Sequence, residues 1–172
     1  MNKKHKLVFG PLALGMCAFP AQKALAQFDA FLKIPGIAGE SQDKTHKGEI
    51  DILSFRQSIQ QPGGGLPSFQ FSKPMDCASP QLYAYCAGGS NVTSMTFVLR
   101  KAGGDQQEYM KYTLTSVAIT NIQTTATAST DLRPTDTFAV TFQGVTWTYT
   151  PTNANGSPGT PVVLGWDLSQ KP

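Results

Sequence analysis

The stretch VTSMTFVLRKAGGDQQEYMKYTLTSVAITNIQ, residues 92–123, decides how this chain folds. From Val92 to Lys101, Met95, Phe97 and Leu99 fall on every second position, the period of a strand with one face buried. Ala102-Gly103-Gly104-Asp105 is turn chemistry, and Gln107 to Gln123 returns as a second long strand, so the pair reads as a β-hairpin. On the return strand the inward set passes from Met110, Tyr112 and Leu114 to Val117 and Ile119. Side chains alternate strictly along a strand, so an even-to-odd shift requires a bulge or a bend between two faces.

The flanking segments repeat the theme. Phe28 to Ile34 alternates, with Phe28, Ala30, Leu32 and Ile34 on one face, and Pro35-Gly36 ends it. A polar loop runs from Gly39 to Gly48, and Glu49 to Ile59 reads as one further strand. Gln60 to Pro67, with three successive glycines, is a flexible connection before a brief strand around Phe69 and Phe71. One short helix is expected over Ser79–Ala87, with Ser79 as N-cap, Pro80 at the first helical position and Gly88 as the stop. Its Leu82, Tyr85 and Cys86 share a face for the sheet. Thr124 to Pro134 is a polar connection. Phe138, Val140 and Phe142 alternate, and at Gly144 the apolar register switches to Val145, Trp147 and Tyr149. After a loop over Asn153 to Pro161, Val162 to Leu168 closes the chain. About seven strands and one helix predict a mainly β domain, a two-sheet β-barrel or sandwich with one short flanking α-helix, in which long strands bend from sheet to sheet.

The beginning of the chain reads differently. Lys3, Lys4 and Lys6 precede an apolar run from Leu7 to Phe19, and Ala24-Leu25-Ala26 supplies an A-x-A site. These are the three parts of a secretory signal peptide, residues 1–26, leaving a single domain over 27–172 that is secreted or periplasmic. Cys17 is a filler of the apolar run. The 172 residues carry 14 Lys and Arg against 11 Asp and Glu, a charge of +3. Four of the lysines leave with the leader, and ten basic against eleven acidic residues give −1. A nearly neutral surface offers no electrostatic basis for nucleic acid or an anionic membrane as partner. Charged residues make up only 15%, too few for the wet faces of long amphipathic helices.

The search for chemistry returns nothing that forms a site. His46 is the last histidine after cleavage and stands beside no nucleophile motif. Glu40, Asp43, Glu49 and Asp51 miss the spacing of a calcium loop, and Lys44 and Lys47 interrupt their charge. Cys77 and Cys86 flank the expected helix, which at ~1.5 Å per residue holds them more than about 10 Å apart. That is beyond disulfide reach, and two thiols without a matching pair make no zinc site. The glycine clusters lack the Lys-Ser/Thr of a phosphate loop. Asn91-Val92-Thr93 fits a glycosylation sequon, and Trp147, Tyr149 and Trp166 could line a sugar-binding face. No enzyme activity, cofactor or metal is expected.

Several segments together resemble the hemolysin-coregulated protein family, the tube subunit of bacterial type VI secretion systems. They are Ile34 to His46 with its G-E-S-Q-D-K-T-H run, Gly48 to Phe55, Phe71-Ser72-Lys73, Ser79-Pro80-Gln81-Leu82, Leu99 to Gly104 with Glu108-Tyr109, and Gly165-Trp166-Asp167. The resemblance runs from about Phe28 to Leu168. It implies two sheets curved into a barrel with one flanking helix. It also implies a hexameric ring that stacks into a tube, carries or chaperones effector proteins in its lumen and has no enzymatic activity. By the same analogy the loop and hairpin supply subunit contacts, with Glu40, Asp43, Lys44, His46, Arg100, Lys101 and Glu108 as candidates. Two features depart from the family: the leader, and the shortness of the Gln60–Pro67 connection. The alternative is a secreted or periplasmic β-sandwich binding module that has kept the fold without tube assembly. A third reading, a hydrolase built on His46, ranks last.

Overall fold

The computed structural model describes residues 28–60, 66–103, 106–128 and 132–168. The leader, the centre of the glycine-rich connection, and Gly104 and Asp105 of the hairpin turn lie outside the described residues.

The hairpin is the spine. Strand β5 (Asn91–Lys101) pairs antiparallel with β6 (Glu108–Thr125), setting Leu99 opposite Met110, Phe97 opposite Tyr112 and Met95 opposite Leu114. The expected change of inward set is present, as a bend and not a bulge. Met95 opposite Leu114, Ser94 opposite Thr115 and Val92 opposite Val117 keep one register, so no residue is inserted against β5 and the two strands bend together, with Ser116 at a φ of 50°. Beyond it Val117 and Ile119 point inward, as Leu114 does before it, and all three are buried.

That bend lets β6 serve two neighbours in turn. Its first part pairs with β8 (Gly144–Tyr149) and its last part with β7 (Thr135–Thr141). The chain turns the corner between β7 and β8 at Phe142 and Gln143. Gly144 is required there by close approach, because a Cβ would collide with the Thr115 hydroxyl. On the other side of the hairpin lies β1 (Phe28–Lys33), and β7 continues to β4 (Ser68–Pro74) and β3 (Ser54–Ser58).

The expected single strand over Glu49 to Ile59 is two strands, β2 (Ile50–Asp51) and β3. β2 pairs with β1 and β3 with β4, which are the two ends of the strand path. At the corner the Ile52 N–H donates to Ala30 O (2.9 Å) and the Leu53 N–H to Ser72 O (2.8 Å). One residue thus bonds to each end, and the path curls back on itself. Ile52 is buried and Leu53 is 57% exposed, the signature of a chain changing sheets. The strands form one hydrogen-bonded network of nine, bent at β6 and at the β2–β3 and β7–β8 corners, in keeping with the expected mainly β class.

Inside, Phe69, Phe71, Phe97, Phe138, Phe142 and Tyr112 pack ring against ring, with Phe71 and Phe97 centroids 5.0 Å apart at 70° and Phe69 and Tyr112 5.1 Å apart at 77°. Edge-to-face geometry suits the charge distribution of aromatic rings. Helix α1 (Ser79–Gly88) covers one flank with Leu82 fully buried and Tyr85 and Cys86 packed on the core. Two expectations about its ends are corrected. Ala78 holds the N-cap position, because the Ser79 hydroxyl is engaged inside the protein, and Gly89 rather than Gly88 adopts the left-handed C-cap at a φ of 62°. Cys77 and Cys86 are free thiols, the first exposed and the second half-buried.

Candidate functional site

The residues of the D-K-T-H loop and the hairpin base, far apart in sequence, meet in one cluster. The loop is closed by its own backbone: Gly39 N–H donates to Gly48 O (2.8 Å), Gly48 N–H to Ser41 O (2.9 Å) and Ser41 N–H to Glu49 O (3.0 Å). Asp43 Oδ1 then accepts the N–H groups of Thr45 (2.8 Å) and His46 (3.0 Å), the local bonding that Asp side chains favour in turns. Arg100 reaches in from β5. Its Nη1 and Nη2 meet Asp43 Oδ1 and Oδ2 at 3.0 and 2.7 Å, and Nη2 also meets Asp29 Oδ2 at 2.8 Å. The Arg100 bond holds the Asp43 carboxyl well below the usual carboxylate range, against the opposing effect of burial.

Phe31 of β1 lies beneath. The Arg100 guanidinium stands 4.9 Å from its ring centroid, and the His46 ring stacks on it at 4.2 Å and 9°. His46 Nδ1 is 2.9 Å from Glu49 Oε2, and Nε2 is 3.4 Å from Glu108 Oε1 at the start of β6. Of the seven candidate contact residues, Asp43, His46 and Arg100 are therefore directed into the chain, with His46 5% and Arg100 3% exposed. Their physical reason for being inside is mutual: each neutralises or hydrogen-bonds another. Glu40, Lys44, Lys101 and Glu108 remain at the surface, Glu40 pairing with Arg133 (3.2 Å) and Lys101 bonding Thr152 Oγ1 (2.7 Å).

A second cluster escaped the sequence reading. Lys73 of β4 is fully buried, and its Nζ meets Asp76 Oδ1 (2.7 Å), Pro74 O (2.8 Å), Ser79 Oγ (2.9 Å) and Asp136 Oδ2 (3.3 Å). Ser79 Oγ donates to Asp136 Oδ2 (2.5 Å) and accepts from the Asp76 N–H (3.1 Å). Tyr83 and Thr124 donate to Asp136 Oδ1 at 2.9 and 2.7 Å. Burial raises the Asp136 carboxyl, but the hydroxyls of Ser79, Thr124 and Tyr83 and the Lys73 charge outweigh it and hold it below the usual range. Ser-Lys pairs can serve nucleophilic catalysis. Here the lysine faces two carboxylates and the hydroxyl is spent on Asp136, both behind the protein surface, so the pair ties helix to sheet. The signal was present in the sequence. Lys73 follows Phe69 and Phe71 on the inward face of β4, and Asp136 precedes Phe138 and Val140 on that of β7. A charge in a buried alternation requires an opposite charge nearby.

The third feature is an uncovered edge. Among the described residues strand β9 (Val162–Asp167) pairs with β8 alone, setting Trp166 opposite Val145, Leu164 opposite Trp147 and Val162 opposite Tyr149. These pairs continue the core face of β6, yet Val162, Leu164 and Trp166 are 64, 64 and 52% exposed. The sheet overhangs its core. On the reverse face Thr96, Thr113 and Thr146 stand in register across β5, β6 and β8, a polar surface with few charges. Of the three aromatics considered for sugar binding, Trp147 packs on the core while Tyr149 and Trp166 belong to the overhanging ladder. Among the described residues no group of three or more His, Cys, Asp or Glu is placed to hold a metal ion, and no helix is long and apolar enough to cross a membrane.

Comparison with known proteins places this arrangement. Residues 31–149 match the family model described as type VI secretion system effector, Hcp. The chain is 34% identical over 156 residues to protein hcp1 of Pseudomonas aeruginosa, a match that covers 83% of this chain and 96% of that protein. Among solved structures it is similar to Hcp1 from Salmonella typhimurium, at 34% identity and a TM-score of 0.73 over 83% of this chain and 96% of that one. It is also similar to a type VI secretion system effector from Yersinia pestis, at 32% identity and a TM-score of 0.70 over 81% and 99%.

Proposed function

The chain belongs to the Hcp family of type VI secretion proteins, and from that premise we propose that it is a non-enzymatic subunit that closes head-to-tail into a hexameric ring through the edge of β9. The carrying observation is that edge. A strand that stands at the end of its sheet among the described residues, with the apolar side chains of Val162, Leu164 and Trp166 more than half exposed, is a liability in a monomer and a template for pairing in an assembly. The sheet β9-β8-β6-β5-β1-β2 has its opposite edge at β2, beside the 39–49 loop. Two different edges on one subunit make a heterologous contact, and such contacts close rings.

In this reading Glu40, Lys44, Lys101 and Glu108 face the neighbouring copy, while Asp43, His46 and Arg100 shape the surface from behind. The threonine-rich reverse face suits the wall of a lumen that carries effector proteins. The leader is removed after Ala26, and the protein works outside the cytoplasm, secreted or periplasmic.

Light scattering on the purified protein tests the proposal. A sixfold native mass supports it. A strict monomer overturns it and moves the lead to a binding module that uses the exposed Tyr149 and Trp166.

A further inference from the structure

We propose that His46 is a proton-operated bolt between the 39–49 loop and the base of the β5–β6 hairpin, closed when the ring is an imidazolium. The consequence rests on the ring reading, because the bolted loop borders the edge offered to a neighbouring copy. The bolt itself stands on contacts within one chain.

The ring cannot swing aside without losing its stack on Phe31, and it is 5% exposed. Its two nitrogens face carboxylates from different elements: Glu49, where the loop rejoins the sheet, and Glu108, the first residue of β6. A neutral imidazole carries one N–H and one lone pair, so one of these contacts sets a lone pair against a carboxylate oxygen. The doubly protonated ring presents an N–H to each, which neutralises the charge on both sides. The Nε2–Glu108 contact, at 3.4 Å an ion-pair distance with no hydrogen bond made, is the looser and forms the moving end of the bolt.

The surrounding charges leave this task to His46. From β1 comes Asp29, from the loop Asp43 and Glu49, from β5 Arg100, from β6 Glu108, and from β2 Asp51, opposite Phe31. Arg100 is already matched by Asp43 and Asp29, which leaves Glu49 and Glu108 to the imidazole. The bolt holds while the ring carries both protons and comes undone as pH rises and one leaves. Histidine is the side chain that ordinarily makes this change between about pH 5 and 8.

Backbone hydrogen exchange on the full-length protein, corrected for intrinsic rates, tests the bolt between about pH 5.5 and about 8.5. Protection of the amides of residues 41–49 is expected to fall about tenfold across that range while the centre of β5 is unchanged. In Glu108→Gln the response is expected to vanish, with protection at the lower level throughout, and His46→Gln is expected to be equally flat. A flat response in the native protein, or a full response in Glu108→Gln, overturns the proposal. Should His46→Gln fail to fold, Glu108→Gln carries the test, since that side chain is 41% exposed. The same series on Trp166→Glu separates bolt from ring. A response kept there supports the bolt whatever the native mass, and one lost there assigns it to the subunit seam and overturns the bolt.

Discussion

Arg100 and Asp43, separated by 57 residues, meet in a two-pronged ion pair at 3.0 and 2.7 Å, and the same carboxylate orders the turn that contains it. One carboxylate thus joins the D-K-T-H loop to the R-K-A-G-G hairpin.

Breaking that junction leaves the buried Arg100 with Asp29 alone, or Asp43 without its cation. Asp43→Asn and Arg100→Met are each expected to cost roughly 3 kcal/mol, read by denaturant unfolding. Because the Asp43 carboxyl is lowered in the folded chain, its contribution is fully present above the unfolded carboxylate value near ~3.9 and is lost as pH falls below it. Native stability is therefore expected to decline with acid from about pH 4 downward, more steeply than in Asp43→Asn.

The Lys73–Asp136 pair predicts non-additivity. Lys73→Met alone strands two carboxylates and is expected to cost about 3–5 kcal/mol. Lys73→Met combined with Asp136→Leu removes both charges of the pair and is expected to recover a large part of that loss in a double-mutant cycle. Simple addition of the two single costs would show that the pair is not coupled.

The overhanging β9 ladder predicts a split between assembly and stability. Trp166→Glu is expected to abolish the sixfold mass while shifting unfolding free energy by no more than about 0.5 kcal/mol, as for other exposed positions. A charge reversal at the opposite edge, Glu40→Lys with Lys44→Glu, is expected to abolish the sixfold mass as well, at the further cost of the Glu40 contacts with Arg133 and the Cys77 N–H. Mixing the two defective proteins restores one good contact per pair, so a dimer is expected at high concentration. A like-to-like β9 contact would give none.

The leader predicts a new N-terminus. Intact-mass measurement on protein recovered from outside the cytoplasm is expected to begin at Gln27. A chain retaining Met1 would argue against processing after Ala26.

Alternation carried most of the fold. The hairpin, its change of inward face and the switch at Gly144 were all legible from residues 92–149, because period two is a local property and each break in it leaves a mark. The Glu49–Ile59 segment read as one strand for the same reason: pairing to β1 and then to β4 is decided by Phe31 and Leu32 upstream and by Ser68 to Ser72 downstream, not by its own pattern. The Ser79 side chain was misplaced likewise, since a local capping role lost to a charged partner on β7.

The candidate contact residues divide along the same line. Their types and spacing established that the loop and the hairpin matter together, and the resemblance placed them in a family. Local pattern could not say that Asp43, His46 and Arg100 would face one another while Glu40, Lys44, Lys101 and Glu108 stayed outside. By itself the sequence determined the strands, their faces and the residues able to carry charge. Only the tertiary structure decided which charges were paired, which were buried and which edge was left open. Coulombic and hydrogen-bond partners are set by distance through space, and on this curled sheet neighbours in space are often more than 50 residues apart along the chain.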